Sequence, residues 1–113
     1  MKHISVFISG PGASFNVDYR KAFRREENRL RHRGYGVICL ATAFPDYFDR
    51  DTVMRFCLDA VPLCDAMLML PGWEQSMGAR EERDEALKHG IPVFHTIEGV
   101  EKWRAAREQV DVA

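Results

Sequence analysis

A chain of 113 residues has room for one ordinary domain around one hydrophobic core, residues 1–113, and too little length for a second. Its charges nearly cancel to a formal net charge of −1, which removes the global electrostatic signature of a nucleic-acid binder. The only apolar run near the start, Ile4 to Ile8, is shorter than a signal-peptide core or a membrane span, so a soluble, cytoplasmic protein without a membrane partner is expected.

In chain order, His3 to Ser9 reads as a first strand, stopped by Gly10-Pro11-Gly12. A helix follows from about Val17 to His32, with Tyr19, Phe23 and Leu30 as its inward stripe and Gly34 as its stop. Its arginines, from Arg20 to Arg33, are interrupted by Glu26 and Glu27 and read as a solvated face rather than a nucleic-acid surface. Val37 to Leu40 is a second strand. After a polar, aromatic loop from Phe44 to Arg50, the positions Val53, Met54, Cys57, Leu58 and Val61 mark an amphipathic helix.

Asp65 to Leu70 is nearly all apolar, as a central strand covered on both faces must be, and Pro71-Gly72 ends it. A third helix spans about Met77 to His89, Pro92 to His95 is a short fourth strand, and Glu98 to about Gln109 is a last helix. Strands alternating with helices predict a doubly wound, flavodoxin-like parallel sheet of four or five strands in the order 2-1-3-4. Cys39, Cys57 and Cys64 show no C-x-x-C spacing and read as buried apolar residues, and the four histidines show no paired ligand spacing, so neither disulfide nor metal is expected.

The predicted order sets the first and third strands side by side and brings their C-terminal loops, Ser9 to Asn16 and Pro71 to Gly78, to the point where ligands bind in such sheets. The first loop, S-G-P-G-A-S, is small and hydroxyl-bearing and leads into a helix N-terminus, a setting suited to phosphate, although it matches neither the P-loop nor the G-x-G-x-x-G pattern. In the second loop, Trp73 has two readings: a platform for a base, or a cap on the core or a subunit contact. On the third helix, Ala79, Ala86 and Gly90 define the small-residue face, and at about 100° per residue Glu82 falls roughly 60° from its centre while Glu81 points away. A carboxylate near the crevice is costly to bury, which makes Glu82 a candidate functional residue. Arg83 lies closer still to that face, so an internal Glu82–Arg83 charge arrangement is the structural alternative.

The strand D-A-M-L-M-L, the loop P-G-W-E-Q-S, the helix S-M-G-A-R-E-E-R-D-E-A and the first strand V-F-I-S-G-P resemble the nucleoside 2-deoxyribosyltransferase superfamily. They are most like a group of small phage and bacterial proteins within it, over Ile4 to about Phe94. The resemblance implies a glutamate nucleophile four residues after a glycine, here Glu82 after Gly78, attacking C1′ of a (deoxy)ribosyl group. It also implies that the serine six residues before the nucleophile, Ser76, selects a 5′-monophosphate, where an aspartate would mark a free nucleoside. The implied site has Ser9, Gly10, Ser14, Ser76 and Gly78 around the phosphate, Trp73 and Phe7 beside the base, and no cofactor or metal. It also implies a homodimer or higher homo-oligomer, with Trp103 and the last helix as candidate contacts.

Two positions depart from the family. Cys57 stands where an aspartate usually assists the leaving base, and Phe7 stands where a tyrosine is common. Asp46, Asp49 or Asp51 are the available substitutes for the acid. The reading is therefore a nucleotide N-glycosidase or deoxyribosyltransferase, with a catalytically degenerate nucleotide-binding module as its rival.

Overall fold

The computed structural model describes residues 3–12, 17–44 and 48–112. Four strands form the sheet: β1 (Ser5–Ser9), β2 (Gly36–Ile38), β3 (Ala66–Met69) and β4 (Val93–Phe94). All pairings are parallel, in the order β2-β1-β3-β4, which is the doubly wound, flavodoxin-like arrangement. Four longer helices flank it: α1 (Tyr19–His32), α2 (Arg50–Ala60), α3 (Met77–Lys88) and α4 (Ile97–Val112). No helix among the described residues is long and apolar enough to cross a membrane.

The two-residue period of the strands divides the core. Val6, Ile8, Ala66 and Leu68 join Phe23 and Leu30 of α1 and Ile97 and Val100 of α4 on one face. Phe7, Met67 and Met69 join Cys57 of α2 and Ala79 and Ala86 of α3 on the other. β3 is buried along its whole length, and each of its larger side chains contributes roughly 2 kcal/mol of burial.

The predicted elements all occur, with shifted ends. β2 stops at Ile38, short of the expected Leu40, because the chain turns into a 3-10 segment over Leu40–Thr42. β4 keeps only Val93 and Phe94, since Thr96 is already serving α4, accepting the Gly99 N–H on its hydroxyl at 3.0 Å. α1 starts at Tyr19 and not Val17, which is left 88% exposed. The sheet has four strands among the described residues; the tail is all helix, and α4 runs past the expected Gln109 to Val112.

Candidate functional site

The carboxyl ends of β1 and β3 are neighbours: Ser9 is paired with Met69, and the Leu70 N–H donates to the Ser9 carbonyl at 2.8 Å. Their following loops therefore leave the sheet together. Gly10 opens the first, and a Cβ placed there would lie 2.8 Å from Leu70 Cβ, so glycine is required by the closeness of the two chains. Gly72 opens the second with φ of +90°, turning the chain into the 3-10 segment Trp73–Gln75.

Strand alternation places Ser9 on the same face as Phe7, beneath α2 and α3. Ala79 and Ala86 let α3 lie close on that face, and Glu82, one turn from each, is carried inside with them. Ser9 is 1% exposed and Glu82 8%. The Ser9 hydroxyl donates to Glu82 Oε1 at 2.5 Å. The Cys57 thiol of α2 is a second neighbour of the carboxylate.

Burial dominates the electrostatics, pushing Glu82 from the usual carboxylate range up to about 7, against the opposing hydrogen bonds from Ser9 and Cys57. Glu81 adds a smaller upward push. Burial also raises the Cys57 thiol, reinforced by the charge of Glu82, so this group stays neutral at physiological pH.

Above the pair opens a cleft of about 220 Å³, lined by Phe7, Val53, Met54, Cys57, Ser76 and Glu82, with Gly10 and Gly78 at its edges. It is mostly apolar, with the carboxyl and the Ser76 hydroxyl as convergent polar groups. Ser76 caps α3, its side chain accepting from the Ala79 N–H at 3.2 Å. The first-turn amides of α3 and the positive end of its dipole are thus directed towards the cleft rim. Gly78 permits α2 to approach, a Cβ there falling 3.1 Å from Met54 Sδ. Outside the cleft, Arg50 and Glu81 tie the N-terminus of α2 to α3 at 3.3 Å.

The structure thus brings together Phe7, Ser9, Gly10, Ser76, Gly78 and Glu82. Trp73 is not in the cleft lining. It packs at the edge of the α3-side core, with the Arg83 guanidinium 5.1 Å from its ring centroid and the His95 ring at 5.9 Å. Trp73 thus caps this edge of the core. Arg83 is accordingly turned to Trp73, and no Glu82–Arg83 ion pair occurs among the described residues. Ser9, expected at a phosphate, spends its hydroxyl on Glu82. Ser14 and Asp46 lie outside the described residues.

Of the other candidate acids, Asp49 caps α2, accepting from the Thr52 N–H at 2.9 Å and its hydroxyl at 2.7 Å, and these bonds hold its carboxyl below the usual range. Asp51 is exposed at the first turn of α2. Neither lines the cleft. Trp103 is half-buried against Phe94, ring centroids 5.6 Å apart. The cleft walls Val53 and Met54 were legible only as a core stripe, because an amphipathic pattern cannot distinguish a face that closes on the sheet from one that leaves a gap.

Among the described residues, no three histidine, cysteine or acidic side chains come together as a metal-binding group. No curated protein and no solved structure matches the chain. The family model of DUF4406, a domain of unknown function, does match, over residues 4–95, an interval that contains both strand ends, the cleft and Glu82; the chain belongs to the DUF4406 family.

Proposed function

We propose that the protein cleaves the N-glycosidic bond of a nucleotide, as an N-glycosidase or a deoxyribosyltransferase, with Glu82 as nucleophile. The observation that carries this reading is a buried carboxyl at the floor of a sugar-sized cleft, held by a hydrogen bond and bordered by a helix N-terminus. The sequence resemblance to nucleoside 2-deoxyribosyltransferases supports the same residue.

In the ionised form, a Glu82 oxygen attacks C1′ from the face opposite the base. The C1′–N bond breaks, its electron pair leaves with the base, and a proton from solvent neutralises the base. The resulting glycosyl ester is resolved by water, which returns the carboxylate and a sugar phosphate, or by a second base, which makes a new nucleotide. The 5′-phosphate is received by Ser76 and the first-turn amides of α3, where a neutral hydroxyl and a positive dipole end suit an anion. Phe7 supplies apolar contact beneath the ligand. The partner in this reading is a small-molecule nucleotide, and the protein self-associates, which sedimentation at micromolar concentration checks.

A second reading is favoured by Cys57. A thiol kept neutral by burial is a poor acid for a departing base, which suits a module that binds a nucleotide without turning it over.

Incubation with a panel of ribo- and deoxyribonucleoside monophosphates, with and without free bases, separates the two. Base release that falls more than roughly 10²-fold in Glu82→Ala, and is nearly unchanged in Glu81→Ala and Glu85→Ala, supports the nucleophile. Monophosphate binding with no base release makes the protein a binder. Brisk release that survives Glu82→Ala overturns the assignment.

A further inference from the structure

We infer that Ser9 is the positioning residue of the site: its hydroxyl fixes Glu82 Oε1 so that the second carboxyl oxygen serves the cleft. The inference rests on the glycosyl-transfer reading for its chemical purpose. Its geometry stands without that reading.

The bond joins two buried groups on different elements. Ser9 ends a central strand and is anchored there by the β1–β3 ladder, while Glu82 lies in the second turn of α3. A serine hydroxyl has one proton to give, and here it is given to Oε1 at 2.5 Å. With that oxygen engaged, rotation about the last bond of the Glu82 side chain is restrained. The carboxyl plane is set relative to the cleft that Glu82 lines together with Phe7 and Cys57. Phe7, two residues earlier on the same face of β1, has no hydroxyl, and the donor to Glu82 from this strand is Ser9.

The bond also acts on ionisation. A donor to the carboxylate favours the charged form that a nucleophile needs, opposing the burial that disfavours it. The titratable group facing Glu82 is Cys57 from α2, whose thiol also favours the carboxylate by hydrogen bonding, while Glu81, turned outwards on the same helix to Arg50, opposes ionisation through its charge. Since the Ser9 hydroxyl is committed to Glu82, phosphate recognition falls to the N-terminus of α3 and not to the Ser9 side chain.

The test uses the intact protein with carboxyl-¹³C glutamate, following the Glu82 resonance by NMR and base release as a function of pH. In Ser9→Ala, the Glu82 titration is expected to move up by about one pH unit or more, the size of one lost charge-assisted hydrogen bond. The acid limb of the activity profile moves with it. At optimum pH, kcat falls by roughly 10-fold or more while KM changes little, as for loss of an interaction that matters in the transition state. Ser9→Thr, which keeps the hydroxyl, returns both midpoints towards the parent values. An unmoved Glu82 titration in folded Ser9→Ala overturns the inference, as does an acid limb that stays in place. If the parent protein releases no base from any nucleotide, the glycosyl-transfer reading fails, and the NMR titration still decides whether Ser9 holds the carboxyl.

Discussion

Ser9 and Glu82, 73 positions apart in the chain, meet in a buried 2.5 Å hydrogen bond that only partly offsets the cost of taking the carboxyl out of water. The group therefore titrates near neutrality, at about 7. A general base or nucleophile poised there changes charge within the physiological range, and a small change in its surroundings moves its population substantially. The same displacement has a consequence for folding that needs no substrate.

In the unfolded chain the Glu82 carboxyl loses its proton near 4.5, and in the folded protein near 7. Between these values the native state binds more protons, so stability falls as pH rises through this window and levels off above it. The full difference is about 3 kcal/mol, as an order of magnitude. Glu82→Gln removes the titration while leaving an oxygen to accept from Ser9. Urea unfolding at pH 5 and pH 8 should show the parent losing a few kcal/mol that the variant keeps. Equal losses in both proteins would place the carboxyl in water.

Two glycines at the cleft respond differently to alanine. At Gly10 the added Cβ meets Leu70 Cβ at 2.8 Å, an atom fixed to backbone, so Gly10→Ala should cost about 1–3 kcal/mol. At Gly78 the neighbour is the movable Sδ of Met54 at 3.1 Å, and alanine favours the helix, so stability should change by less than about 1 kcal/mol. Denaturant midpoints compare them directly. A larger loss at Gly78 than at Gly10 would reverse the assignment of which contact is rigid.

The sequence carries the sheet order because the apolar alternation of β1 and β3 and the Gly and Pro stops between elements are strong local signals. It also carries the placement of Glu82, since two alanines seven apart mark the face of α3 that meets the sheet. The partner of Glu82 was harder to read. Ser9 stands at the end of a strand beside small loop residues, where a phosphate role and a side chain directed under a helix give the same letters. Trp73 illustrates the same limit: a tryptophan in a loop can stack on a ligand or on Arg83, and only the tertiary arrangement decides. The ends of β2 and β4 shifted because turn and capping bonds at Cys39 to Thr42 and at Thr96 compete with the ladder.

The three thiols should resist alkylation in the folded protein. Cys57 and Cys64 are buried, and burial raises both, Cys64 to about 11; Cys39, half-buried, is raised for the same reason. With iodoacetamide at pH 7.5, mass spectrometry should show all three labelled rapidly in denaturant and slowly without it. Fast labelling of Cys57 in native protein would mean a thiolate beside Glu82, which the shared negative charge opposes. Such a result would make the thiol a competing nucleophile.

Capping and ligand recognition at Ser76 are separable by substitution. This residue accepts from the Ala79 N–H and begins α3, and aspartate is as good an N-cap as serine, with a charge that the helix dipole favours. Ser76→Asp should therefore leave the denaturation midpoint unchanged or slightly raised. Its carboxylate would stand where the proposed reading seats a 5′-phosphate, and like charges a few ångströms apart repel by about 1 kcal/mol or more even in a water-like medium. Monophosphate affinity by calorimetry should fall roughly 10-fold or more, while affinity for the matching nucleoside should hold or rise. Ser76→Ala supplies the contrast: loss of the cap costs about 1 kcal/mol of stability, and the ligand loses one donor without gaining a repulsion. Equal binding of monophosphates and nucleosides by the parent, with Ser76→Asp unchanged, would remove the phosphate from this helix end.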